Sequence, residues 1–329
     1  MVKIVRFHTT GSADVLKLED LPTPEPKEGE VRLKVEAIGL NRAEVMFREG
    51  KYLEAPNLPS GLGYEAVGIV EAVGPGVNDI QVGDRLSTIP AFSMRQYGVY
   101  GESVVVPVYA VATYPENLSV QEGAAIWMQY LTAYGALIEF GQMKSQDYVL
   151  ITAASSSVGN AAIQLTKAKG AVAIATTRGA AKKQMLLDGG ADHVIVTDEE
   201  DLPSRVMEIT SGHGADLIFD PVAGPMLETL AQAAAHGATI FEYGALSSAA
   251  TPFPLMLALE KGLIVRGYTL FEISPNPERL ERGKSYIYDN LRAGKLKPLI
   301  DRTFPLDNIV EAHRYMESNQ QNGKIVVIV

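Results

Sequence analysis

The chain has 329 residues, 47% of them hydrophobic and 21% charged, with a formal net charge of −10 and no cysteine. That length suits two cores better than one. The acidic balance argues against a nucleic-acid or anionic-membrane surface, no apolar run approaches the roughly 20 residues of a membrane span, and the absence of thiols excludes disulfides and every thiolate metal site.

Met1 to Thr9 alternates like a strand and shows no leader-like segment, which predicts a cytoplasmic protein. Val31 to Ala37 alternates as a half-buried strand should, and Glu65 to Val73 and Ser103 to Val108 read the same way. Gly74-Pro75-Gly76 and Val82-Gly83-Asp84 are turns between strands. Residues 1 to about 110 therefore predict a β-rich, partly closed barrel.

The texture changes near residue 120. Glu122 to Phe140 has helical apolar spacing, and Tyr148 to Thr152 is a short apolar run of the kind buried on both faces. Helical segments Val158–Lys169, Ala180–Asp188, Leu202–Thr210, Met226–Ala235 and Leu255–Lys261 then alternate with strands. Those strands are Ala171–Thr176, His193–Val196, Asp216–Asp220, Ala238–Tyr243 and Leu263–Gly267. Six strands alternating with helices predict a parallel, doubly wound α/β sheet with ligands at the strands' carboxyl ends. A helix over Arg279–Ala293, Pro and Asp turns, a helix over Asp307–Ser318 and a strand over Lys324–Val329 complete the chain. This tail is too short for its own core and is expected to pack back on the N-terminal region. The expected division is 1–122, 123–267 and 268–329.

The five histidines, His8, His193, His213, His236 and His313, stand at no short ligand spacing. An Asp/Glu/His metal site would have to be assembled from distant positions. The chemistry-bearing pattern is instead Ala153-Ala154-Ser155-Ser156-Ser157-Val158-Gly159, between the first strand of the alternation and a helix. A helix N-terminus offers free N–H groups and a favourable dipole to a pyrophosphate, and small residues allow close backbone approach. Ala154 and Ser156 stand where the dinucleotide fingerprint has glycines, so an ordinary serine-capped helix is the competing reading; the alternation around it favours a Rossmann-type fold. NAD enzymes usually carry an acid at the end of the second strand. Here that place reads Thr176-Thr177-Arg178, with Lys182 and Lys183 following. Arg178 and Lys182 attract a 2′-phosphate that an acid would repel, which predicts NADP(H) over NAD(H).

At this point the chain resembles the medium-chain dehydrogenase/reductase superfamily over essentially its whole length. The resemblance rests on Gly39-Leu40-Asn41-Arg42-Ala43-Glu44, Gly63-Tyr64-Glu65-Ala66-Val67-Gly68, Val82-Gly83-Asp84-Arg85, Leu131-Thr132-Ala133-Tyr134 and Asn322-Gly323-Lys324-Ile325-Val326. It implies a GroES-like catalytic domain split around the Rossmann domain, with the active site in the cleft. The zinc-ligand positions of the superfamily's alcohol dehydrogenases correspond to Asn41, Tyr64 and Met128, and the structural-zinc lobe to Ala91–Glu102, which has no cysteine. The chain is therefore similar to the zinc-free quinone oxidoreductase branch, as Asn41 and Gly50-Lys51-Tyr52 also suggest. It departs from that branch at Ser156 and Ser157 (usually glycines), Met46 (a tyrosine in many members), Thr197 (a phosphate-contacting tyrosine in some) and Tyr64 (usually small).

The resemblance implies NADP(H) held by Thr132, Ser156, Ser157, Val158, Gly159, Thr177, Arg178, Lys182, Thr197, Val222, Tyr243, Gly244, Ala245, Leu270 and Lys324. Asn41, Tyr52 and Tyr64 are the candidate catalytic groups. Without a zinc Lewis acid, a simple carbonyl is harder to reduce, whereas an enone, enal or quinone spreads the incoming charge to an oxygen that hydrogen-bond donors can stabilise. The expected activity is NADPH-dependent reduction of such small electrophiles. A zinc-free alcohol dehydrogenase or ketone reductase and a non-catalytic, crystallin-like or sensor-like NADPH-binding protein are the alternatives; an enoyl-thioester reductase would want a basic groove the acidic chain does not offer. Each candidate also has a structural reading: Asn41 as a turn residue, Tyr52 as a packed loop aromatic, Tyr64 as core, Trp127 and Met128 as helix packing. The segments Ala238–Tyr243 and Leu263–Leu270 are expected to pair edge to edge in a homodimer.

Overall fold

The computed structural model describes residues 1–329. The chain divides into two compact units, one of Met1–Met128 with Lys297–Val329 and one of Gln129–Leu296.

The first, split unit opens with the antiparallel strands β1 (Val2–Arg6) and β2 (Lys17–Leu21). The long strand β3 (Glu30–Gly39) leads into helix α1 (Arg42–Arg48), and β4 (Glu65–Val73), β5 (Arg85–Thr88), β6 (Ser103–Pro107) and β7 (Val111–Ala112) follow. The inward residues of β3, Val31, Leu33, Val35 and Ala37, are buried, as the alternation predicts. Gly68 is required where β3 and β4 cross, because a Cβ there would lie 2.3 Å from the Lys34 carbonyl oxygen.

The apolar stretch expected as one helix is instead α2 (Val120–Gly123), α3 (Trp127–Tyr134) and a wider π-type turn over Gly135–Phe140. The physical reason is distant in sequence. The N–H groups of Trp127 and Met128 donate to Glu65 Oε1, at 2.7 and 3.2 Å, so a carboxylate from β4 starts α3 afresh.

The second unit runs β8 (Tyr148–Ile151), α4 (Ser157–Lys169), β9 (Val172–Thr177), α5 (Lys183–Asp188), β10 (His193–Val196), α6 (Leu202–Ile209), β11 (Ala215–Asp220), α7 (Met226–Ala233), β12 (Ala234–Glu242), α8 (Leu255–Lys261) and β13 (Ile264–Gly267). All six strands are parallel, in the order β10-β9-β8-β11-β12-β13. This is the doubly wound order, and its direction reverses between β8 and β11, where such sheets bind ligands. Leu150, Ile174, Ile195, Ile218 and Ile240 line one face of the sheet and pack on residues of α6 and α7.

Helix α9 (Pro277–Arg292) also lies in this unit rather than with the returning tail. Gly283 lets it approach α3, since a Cβ there would meet Leu131 at 2.8 Å, and Tyr286 packs on Tyr134 with ring centroids 5.4 Å apart. Only residues 297–329 return to the split unit. There β14 (Ile300–Pro305), unforeseen among the Pro and Asp turns, runs parallel to β15 (Lys324–Ile328), with α10 (Ile309–Glu317) between them. The seven-stranded sheet is ordered β14-β15-β3-β4-β5-β7, with β6 pairing β3.

Candidate active site

In the parallel-sheet unit the loop after β8 is shaped for close approach. Ser156 caps α4, its hydroxyl accepting the Gly159 N–H at 3.0 Å. A Cβ on Gly159 would lie 2.6 Å from the Ala154 Cα and 2.7 Å from the Ala153 carbonyl oxygen, so glycine is needed where helix and loop meet. Ala153 itself sits at φ 44°, a left-handed conformation that an alanine holds only at some cost. Ser157 and Val158, half-buried in the first turn of α4, present the N–H groups that have no partner within the helix.

Beyond β9, Arg178 is exposed and in no ion pair, and the half-buried Lys182 reaches the Ser155 hydroxyl at 3.0 Å. Thr177 bonds to Gly179 and Thr197 to Thr177 at the strand end, where the Asp198 N–H also donates to the Arg178 carbonyl at 3.1 Å. The loops after β11 and β12 are zipped together: Leu246 N–H donates to Pro221 and Ser247 N–H to Val222, both at 2.9 Å. Val222, Tyr243, Gly244 and Ala245 are thus gathered at one edge, Tyr243 stacking on Phe219 at 3.9 Å. Its hydroxyl is buried without a hydrogen-bond partner. Thr132 on α3 and Leu270 in the turn after β13 are both buried, and the Tyr268 hydroxyl ties their segments by donating to the Leu131 carbonyl. A cradle a Cβ would fill, a free helix start with Lys182 beside it and Arg178 at the end of the neighbouring strand fit a dinucleotide with a 2′-phosphate.

Lys324, expected among the cofactor contacts, belongs to the split unit. It is 1% exposed, and its ammonium donates to Asn41 Oδ1 and Glu65 Oε2, both at 2.6 Å, inside the split unit. Its ammonium is thus paired with Glu65. Asn41 is equally committed: its amide nitrogen donates to the Gly39 carbonyl at 3.0 Å and to Glu44 Oε1 at 3.1 Å. Glu44 further accepts the Asn41 N–H, the Tyr64 N–H and the Tyr100 hydroxyl, at 2.7, 3.1 and 2.5 Å. Burial raises its carboxyl above the ordinary range despite these bonds.

The string continues to His313, whose Nε2 lies 3.3 Å from the Tyr100 oxygen and whose Nδ1 lies 2.9 Å from the Arg48 guanidinium. Burial and that guanidinium push the imidazole down to about 3, so it is neutral. None of Glu44, Glu65, Tyr100, His313 or Arg48 stood out in the sequence as a site residue. The Asn41-x-x-Glu44 spacing of a capping box was the one available signal.

A second cluster holds the tyrosines. Tyr64 is fully buried against Phe92, with ring centroids 5.7 Å apart, and its hydroxyl reaches Glu54 Oε1 at 3.4 Å. It is also hydrogen-bonded to the Tyr52 hydroxyl. Glu54 additionally accepts from the Ser93 hydroxyl and the Met94 N–H, pinning this loop. Tyr52 is the half-buried member; burial raises its hydroxyl to about 12, so it stays a donor at neutral pH. Trp127 is core, its indole donating to Ser87 at 2.7 Å. At the three zinc-ligand positions stand an amide held by Lys324 and Glu44, a phenol turned to Glu54 and a thioether, and no three His, Asp or Glu side chains cluster to hold a metal ion. This donor set does not fit zinc.

Residues 27–116 match the model of the alcohol dehydrogenase GroES-like domain, and residues 189–327 that of the zinc-binding dehydrogenases. The chain is 30% identical to human quinone oxidoreductase, covering 100% of this chain and 98% of that protein. It superimposes on the Escherichia coli quinone oxidoreductase complexed with NADPH with a TM-score of 0.91 and 30% identity, over 99% of this chain and all of the other. It also superimposes on an NAD-dependent alcohol dehydrogenase with a TM-score of 0.92 and 32% identity, over 99% of both chains.

Proposed function

Because the chain belongs to the medium-chain dehydrogenase/reductase superfamily, in its quinone oxidoreductase-like branch, we propose that it is an NADPH-dependent reductase of quinones or α,β-unsaturated carbonyls that works without zinc. The observation that carries the cofactor choice is the end of β9, where Arg178 stands exposed, Lys182 stands beside the phosphate loop, and Thr176-Thr177-Arg178 itself includes no acid. One structural neighbour is a complex with NADPH and another is NAD-dependent, so likeness alone does not choose and the local charge does. Ser156, Ser157, Val158 and Gly159 take the pyrophosphate, with Thr132, Val222, Tyr243, Gly244, Ala245 and Leu270 completing the cofactor's surroundings.

When bound, the reduced nicotinamide supplies a hydride. The acceptor's electron pair moves to its oxygen as the new C–H bond forms at the conjugated carbon. Tyr52, a protonated donor, holds that oxyanion by a hydrogen bond, and water supplies the proton. Tyr64 acts through Tyr52, since its own hydroxyl is buried. Asn41, with both amide hydrogens committed, contributes position rather than a proton.

A screen of NADPH oxidation over quinones, enones, enals and simple ketones tests the reading. Turnover of the conjugated acceptors, lowered roughly 10²-fold or more in Tyr52→Phe, is expected. The similarity to an alcohol dehydrogenase supports a second reading, a zinc-free alcohol dehydrogenase or ketone reductase. Faster turnover of a simple alcohol with NADP⁺ than of any conjugated acceptor with NADPH would establish it.

A cytoplasmic homodimer completes the proposal. Strand β13 is an unpaired sheet edge with Ile264 55% exposed, and α8 beside it exposes Met256 and Leu259 at 74% and 68%. Such an edge with an apolar flank favours pairing with its own copy. Light scattering of the wild type and of Ile264→Lys with Leu259→Glu checks this; a wild-type monomer refutes it.

A further inference from the structure

Asp220 and Glu242 end the neighbouring parallel strands β11 and β12 and are partners in register, so two carboxyl groups stand on one face at the sheet's carboxyl end. Their surroundings differ. Asp220 is fully buried, and each of its oxygens accepts a hydrogen bond, one from the Thr152 hydroxyl and one from the Ala223 N–H at 2.6 Å. Both of its oxygens are thus served by donors. Both Glu242 oxygens are also inaccessible, but no donor serves either one.

No cation relieves this. The partner of Glu242 on β13 is Gly267, which has no side chain. Arg266 stacks on Phe140 and pairs with Glu272. Helices α7 and α8, packed on β12, carry the exposed Glu228 and Glu260, and the ammonium of Lys261 is held by the carbonyls of Ala231, Gln232 and Ala234. The adjacent Tyr243 is a neutral phenol. Two like charges this close cannot both persist away from water.

We propose that Glu242 holds a proton shared with Asp220 at neutral pH, and that losing it weakens dinucleotide binding at the carboxyl ends of β8, β11 and β12. The second half rests on the cofactor reading above. Thr152, which holds Asp220, immediately precedes the phosphate loop, and Tyr243, next to Glu242, stacks on Phe219 of β11. A second negative charge at this edge opposes an incoming pyrophosphate. Burial and the Asp220 charge push the Glu242 carboxyl up to about 8, which brings the transition within reach of ordinary conditions.

Two measurements separate the halves. Infrared difference titration of the protein without cofactor should show a protonated-carboxyl band that disappears with a midpoint near 8 and is missing from Glu242→Gln. Asp220→Asn should move the midpoint down. Calorimetric titration with NADPH should show the wild-type Kd rising roughly tenfold between pH 7 and pH 9, while Glu242→Gln, neutral throughout, stays flat. No such band at pH 7 overturns the shared proton. The band with parallel Kd curves in both proteins overturns its part in binding. The band with no NADPH binding at any pH sinks the cofactor reading, and the second half with it, while leaving the proton in place.

Discussion

The two units bury polar groups for opposite reasons. In the split unit the buried charges run through the interior: Arg48, His313, Tyr100, Glu44, Asn41, Lys324 and Glu65 form one bonded string among apolar strands. In the parallel-sheet unit one face of the sheet packs an apolar core, and the carboxyl groups stand at the strands' carboxyl ends, at Asp220 and Glu242 beside Thr152. Internal bonding of this kind leaves no charge over for a ligand. Polar groups collected where strands stop, some without donors, mark the edge where a ligand completes the structure.

Four experiments can break or sharpen this contrast. The largest effect is expected in the string. Lys324→Met leaves Glu65 buried without its cation and should cost about 3–5 kcal/mol in urea unfolding. Adding Glu65→Gln should restore part of that loss; equal losses in single and double variants would show that the pair is not coupled.

Gly159→Val tests the other unit. The new side chain meets loop backbone, so a stability loss of about 3 kcal/mol is expected, together with weaker NADPH binding. Unchanged calorimetric affinity would remove the loop from the cofactor site.

The pH dependence should also differ in sign between the units. His313, held near 3 when folded, takes a proton near 6.5 when unfolded, so its contribution is lost as pH falls below about 6.5. That amounts to about 2 kcal/mol by pH 5, and His313→Gln should flatten this limb. Glu242, raised to about 8, binds its proton more tightly folded than unfolded, so its contribution is present below about 4.5 and fades as pH rises to 8. Glu242→Gln should therefore gain stability relative to wild type on the alkaline side. Parallel pH–stability curves for wild type and both variants would contradict these assignments.

The smallest effect belongs to Arg178. Its replacement by alanine should weaken NADPH by about 1–2 kcal/mol and leave NADH untouched. A loss shared equally by both cofactors would remove Arg178 from the 2′-phosphate.

Much of the parallel-sheet unit was legible from the chain alone, because its signals are local. A strand buried on both faces is a short apolar run, and Tyr148-Val149-Leu150-Ile151 is that run. The phosphate loop was legible through its place between β8 and α4, and the acid-free end of β9 through three consecutive residues. Strand β14 was hidden because its alternation is polar and its residues are mostly half-exposed or exposed. The break before α3 was hidden because Glu65, which causes it, lies 62 residues away.

The same division separates what sequence and tertiary structure each decided about the site. Periodicity, turn chemistry and residue type determined the order of elements, the cofactor-binding fold and the choice of charge at its strand end, since each acts within a few residues. Only the tertiary structure decided that Lys324 is bonded to Asn41 and Glu65, that Tyr52 and not Tyr64 is the accessible phenol, and that Glu242 meets Asp220. Those outcomes depend on which distant side chains share a dry interior, where a charge must find a partner or give up its proton.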